Sequence, residues 1–244
     1  MLNRINKHMP RALLGFLLFL LIICPAGGKP VQDYAASAKA ERLLGEGARY
    51  LFLNDYENAQ KAFQEAADLR PAGDVFARIG LSYHMDMKFR EALPWLEKAF
   101  KTQPSQPWAI QVALAAGYAA NQQPQQAQDA MNKAREKMPD DAALLNAIAY
   151  PMADAGLLLD DTIVMLKKAV EAAPNSGMIL DSLGWAYFRQ GRYEEAQIVL
   201  QRAAMLLPDS VIRGHLAEAQ KAMKKQREER KLPARKNKLA GRLP

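Results

Sequence analysis

Cysteine occurs once in the 244 residues, at Cys24, which excludes an intrachain disulfide and any cysteine-rich metal site. Histidine is nearly as scarce: His8, His84 and His215 lie far apart and fit no compact metal motif. Glycine and proline number 14 each, too few for collagen-like or linker-like sequence. Signatures of catalysis are missing as well. There is no phosphate-binding G-x-x-x-x-G-K-[ST], no H-E-x-x-H and no G-x-S-x-G, and Gly45-Glu46-Gly47 lacks the third glycine and preceding strand of a dinucleotide site. The residues therefore point away from an enzyme, and no cofactor or metal is expected.

What is present is a globular composition, 50% hydrophobic and 24% charged, enough for one or two domains. The formal charge of +7 is unevenly placed. Ten bases against two acids follow from Lys221 onward, and Arg4, Lys7, Arg11 and Lys29 stand alone before Asp33, so the body between is acidic. At the N-terminus Arg4, Lys7 and Arg11 precede an apolar run from Ala12 to Cys24, followed by Pro25-Ala26-Gly27-Gly28. This is the layout of an export signal over residues 1–26. As a helix the run would reach about 20 Å, short of the roughly 30 Å hydrocarbon layer. A retained membrane anchor and lipidation at Cys24, within Leu21-Ile22-Ile23-Cys24, stay open as alternatives to cleavage. Residues 27–39 read as a linker.

From there the chain repeats itself. Pro71, Pro104, Pro139, Pro174 and Pro208 recur at intervals of 33 to 35. Five residues before each stands Ala66, Ala99, Ala134, Ala169 or Ala203; eight before stands Phe63, Leu96, Met131, Leu166 or Leu200; twelve before stands Ala59, Ala92, Ala127, Thr162 or Ala196. The first halves repeat too, as Leu43…Gly47…Tyr50, Phe76-x-x-Ile79-Gly80-x-x-Tyr83, Gln111-x-x-Leu114-Ala115-x-x-Tyr118 and Leu180-x-x-Leu183-Gly184-x-x-Tyr187. Spacings of three and four put these residues on one helical face, so each copy is two amphipathic helices. The small residues allow close approach of the paired helix, and the terminal prolines stop the second helix. No copy can bury its apolar face alone; stacking supplies the core.

This pattern resembles the tetratricopeptide repeat. The stretch from Ser182 to Ala196 is the strongest match; Glu46 and Gln111 fall in slots that are usually apolar, and the fourth copy has Met152 for tyrosine, Thr162 for alanine and one extra turn residue. The resemblance implies an all-α, right-handed solenoid over residues 40–208, in five units of about 40–72, 73–106, 107–140, 141–175 and 176–208. Beyond Pro208 the stripe Ile212, Leu216, Ala219, Met223 predicts a capping helix over 209–232, and the basic residues 233–244 read as a disordered tail.

The resemblance also implies a concave groove lined by the first helix of each copy. Its candidate partner-binding residues are Leu51, Leu81, His84, Asn146, Tyr150, Asp181, Trp185 and Phe188. An aromatic end at Tyr150, Trp185 and Phe188 would suit a peptide, while packing of Trp185 and Phe188 against the capping helix is the equal alternative. Basic clamp residues for a C-terminal carboxylate are missing from these positions. Asp140-Asp141 and Asp160-Asp161 precede helices and read as capping acids. The expectation is a non-enzymatic scaffold of a bacterial cell envelope, periplasmic or membrane-tethered, that holds a protein or peptide partner. The alternative is an accessory subunit organising an enzyme complex, such as one for polysaccharide synthesis or export. The basic end offers contact with an anionic membrane or polymer; nucleic acid is disfavoured, since no aromatic residue interleaves those bases.

Overall fold

The computed structural model describes residues 34–104 and 107–240, with side chains through Glu229. The export segment, Cys24 and residues 27–33 of the expected linker lie outside the described residues. Among the described residues there are eleven α-helices and no strand. They are α1 (Tyr34–Phe52), α2 (Tyr56–Leu69), α3 (Gly73–Met85), α4 (Phe89–Thr102), α5 (Trp108–Ala120), α6 (Pro124–Arg135), α7 (Ala142–Ala155), α8 (Leu159–Ala172), α9 (Gly177–Arg189), α10 (Tyr193–Leu206) and α11 (Ser210–Ala240). The chain divides into two compact bodies, Met1–Pro139 and Asp140–Pro244. In the first, α1/α2, α3/α4 and α5/α6 form antiparallel pairs, with α3 packed on α1 and α5 on α4. In the second, α7/α8 and α9/α10 pair, α9 packs on α7 and α8, and α11 covers α10 and α9.

Four of the pairs, all but α7/α8, set a small residue sixteen positions before a large one. A Cβ on Gly80 would lie 2.5 Å from Leu96 Cγ and one on Gly184 2.6 Å from Leu200 Cγ, closer than packing allows; Gly47 abuts Phe63 in the same way. Phe63, Leu96, Met131, Leu166 and Leu200 are all fully buried, as are the alanines that precede each closing proline by five.

The turn inside each pair follows one geometry in all five copies. The N–H of Asp55, Lys88, Gln123, Leu157 and Arg192 donates to the carbonyl of Tyr50, Tyr83, Tyr118, Met152 and Tyr187 at 2.8 to 2.9 Å. Such a closure puts the residue just before the donor in the left-handed region, and Asn54, Met87, Gln122, Gly156 and Gly191 have φ of 60°, 58°, 59°, 72° and 81°. The extra residue of the fourth copy is absorbed at Leu158, also left-handed at φ 46°, and Thr162 Oγ1 donates to the Leu157 carbonyl across the turn. Capping by the acids is direct at Asp141, whose side chain accepts from the Leu144 N–H at 2.9 Å, and at Asp55, which accepts from the Asn58 N–H.

Helical structure extends further than the sequence reading at both ends. Residues 34–39 of the expected linker belong to α1. At the other end α11 does not stop before Leu232-Pro233 but runs to Ala240, where a disordered tail was expected. Pro233 costs a helix about 3 kcal/mol, and the Lys, Arg, Leu and Ala around it are the residues that add least to that cost. The start of α11 stands in the register of a sixth first helix: His215, Glu218 and Lys221 follow Asp181, Gly184 and Tyr187 by 34.

Candidate functional site

The first helices place the eight groove candidates, and the two bodies treat them differently. In the first body Leu51, Leu81 and His84 are all buried, His84 completely. The His84 ring packs edge-on against Phe89 at 5.2 Å. These three act in packing between helices.

The second body holds the other five on α7 and α9. Asp181 and Trp185 are buried, at 7% and 5% exposure, whereas Asn146, Tyr150 and Phe188 remain half-buried. Trp185 is fixed from several directions. Its indole Nε1 donates to Asp154 Oδ1 at 2.9 Å, and Arg189 lies 3.8 Å from that same carboxylate oxygen. The indole stacks on Phe188 at 4.6 Å and on His215 of α11 at 4.1 Å. His215 Nδ1 in turn lies 2.9 Å and 3.1 Å from the two oxygens of Asp181. Trp185 is thus held by the capping helix through His215, and Phe188 extends the stack outward toward Tyr193.

This face carries both a hydrogen-bond donor and an acceptor. Burial raises the Tyr150 hydroxyl above the usual phenol range, and the nearby Asp154 and Asp181 carboxylates add to the shift, so Tyr150 stays a neutral donor. Asn146 Oδ1 is buried without a hydrogen-bond partner. Sequence reasoning missed Asp154, Arg189 and His215. Their signal was present: Asn146, Asp181 and His215 recur at one register, 35 and 34 residues apart, and so do Asp154 and Arg189. Among the described residues no group of three or more His, Cys, Asp or Glu side chains could hold a metal ion, and no helix is long and apolar enough to cross a membrane.

Comparison with known proteins agrees with the repeat geometry. The family model described as tetratricopeptide repeat matches residues 178–210 and 49–72. The chain is 36% identical over 80 residues to TPR repeat-containing protein PA4667 of Pseudomonas aeruginosa, covering 33% of this chain and 14% of that one. It is 26% identical over 198 residues to human protein O-mannosyl-transferase TMTC1, covering 79% of this chain and 22% of that one. The chain therefore spans less than a quarter of the length of either relative. Among solved structures, the tetratricopeptide-repeat protein TTC0263 of Thermus thermophilus matches with a TM-score of 0.54 at 20% identity, covering 74% of this chain and 98% of that one. Human IFIT1 matches with a TM-score of 0.55 at 19% identity, covering 89% and 54%. These likenesses are of fold. The two matched stretches, residues 49–72 and 178–210, are tetratricopeptide repeats by the family model, and the small-to-large helix pairs and the shared turn agree with that assignment.

Proposed function

We propose that this protein is a non-enzymatic interaction scaffold that holds an extended peptide segment of a partner against the α7 and α9 face of its second body. The repeat fold supports a protein-protein interaction scaffold, and one observation carries the finer reading. Asn146, Tyr150 and Phe188 keep exposure beside a Trp185 whose orientation is fixed by Asp154, Phe188 and His215. Rigid aromatic groups with polar neighbours bind with little ordering cost. Export to a bacterial envelope is part of the proposal and rests on Arg4, Lys7, Arg11 and the apolar run to Cys24. Contact of the basic residues after Lys221 with an anionic membrane or polymer belongs to it as well.

The test compares recovery of partners from envelope extract by the wild-type chain and by Tyr150→Ala/Phe188→Ala. Phe188→Ala removes one face of the Trp185 stack, while the His215 face and the hydrogen bond to Asp154 do not involve either substituted residue. Loss of specific partners from the double variant is expected; equal recovery by both would overturn the assignment. Co-purification of a synthetic or export activity would favour the accessory-subunit reading.

A further inference from the structure

The repeats supply their own internal reference for one position. In the second copy Phe76 stands four residues before Gly80, with its ring 6.2 Å from that of Trp95. Lys98 Nζ lies 5.9 Å from the Phe76 ring centre and 4.5 Å from that of Trp95. The third copy carries Gln111, Ala130 and Lys133 at these three registers. Both rings are gone and the lysine remains.

Two of those three, Gln111 and Lys133, line a cavity of about 210 Å³ in the first body, together with Phe100, Trp108, Pro104, Glu136 and Lys137. Trp108 and Gln111 are buried, while Lys133 is exposed and sits 5.9 Å from the Phe100 ring centre. The volume falls below the about 300–1,000 Å³ of small-molecule sites, which suits a single side chain. The rings of Phe100 and Trp108 offer faces for a flat group beside the polar Gln111, Lys133, Glu136 and Lys137, and a lysine ammonium there favours a π face over a saturated ring of equal size.

We propose that this cavity is a socket for one aromatic side chain of a partner protein, which would restore in the third copy the ring and lysine arrangement that Phe76 and Lys98 make within the second. The socket is separate from the α7 and α9 face and does not depend on peptide binding there.

The probe is N-acetyl-L-phenylalaninamide, with N-acetyl-L-cyclohexylalaninamide as the saturated control. Both are titrated into the full chain while the indole N–H signals are followed by NMR, with Trp108 assigned through Trp108→Phe. A saturable shift of the Trp108 signal is expected with the phenyl probe, and at least threefold weaker binding with the cyclohexyl one. Lys133→Gln, at an exposed position, should weaken the phenyl probe at least threefold and leave the cyclohexyl probe unchanged. Gln111→Phe supplies the ring from within, so it should abolish saturable binding and raise the thermal midpoint. The proposal is overturned by no saturable shift, by equal affinity for both probes, or by undiminished binding to a folded Gln111→Phe. If Gln111→Phe does not fold, Lys133→Gln decides alone. A Trp108 signal that moves with protein concentration in the absence of probe would show that a second copy provides the ring, and would overturn the assignment to a partner.

Discussion

At the scale of single residues, the close approach of paired helices rests on positions with no room for a methyl group. A Cβ at Gly184 would meet Leu200 Cγ at 2.6 Å and the Leu200 backbone nitrogen at 3.3 Å, and Leu200 is fully buried. Gly184→Ala should therefore destabilise the second body by about 1–3 kcal/mol, the usual cost of overpacking, seen as a lower urea midpoint. Where the small residue is Ala115, the partner sixteen positions on is the flexible Met131, which adapts to irregular space. Asp86 makes a different prediction. Burial raises its carboxyl to about 7, Glu91 adding and Lys88 opposing, and its Oδ2 has no hydrogen-bond partner. The folded state then keeps a proton that the unfolded chain releases near pH 4, so stability falls as pH rises from about 4 to 7 and levels off above. Asp86→Asn should flatten that slope. After allowance for solvent screening it should gain about 1–2 kcal/mol at pH 8 and almost nothing at pH 4, readable from denaturation midpoints at the two pH values.

Among the elements, the turns show a cost that the chain carries. Five copies use one left-handed residue in the same closure, and only Gly156 and Gly191 supply it as glycine. Met87 and Gln122 adopt φ of 58° and 59° with a side chain in place, a conformation worth about 1 kcal/mol of strain for an L residue. Met87→Gly and Gln122→Gly should each raise stability by about 0.5–1 kcal/mol, and the two gains should add, as they lie in separate turns. The existence and pairing of the helices were legible in the sequence because closing prolines, alanines and tyrosines each answer a local requirement of helix length or close packing. The identity of the groove was less so. Trp185 and Phe188 belong to one short run, yet the group that covers Trp185 is His215, 30 residues on, in a helix recognised only by its apolar stripe. Likewise the helix-breaking signal of Pro233 was read locally, apart from the helix formers that surround it. Gln111 could be seen as a polar residue in an apolar slot, but not that the slot stays hollow.

Over the whole molecule, each body gains its stability from neighbouring repeats, and the second depends on α11. Leu180, Ala203 and Ile212 form a buried cluster with Val170, Val199 and Ala204 packed against it, and Asp181 has His215 as its buried partner. A chain ending at Asp209 should lose Ile212 and His215 together. It should melt at a lower temperature and lose amide protection in α9 and α10, as measured by hydrogen exchange; unchanged exchange there would contradict the covering role. His215→Ala alone, which leaves Asp181 buried without its imidazole and removes the stack on Trp185, should cost about 1–3 kcal/mol. The register of α11 carries one more consequence. With Glu218 where Gly184 stands one period earlier and Lys221 where Tyr187 stands, this helix offers neither a notch nor a wedge to a following rod. A rod docking on α11 in the way α10 docks on α9 would bury both charges unless they were replaced.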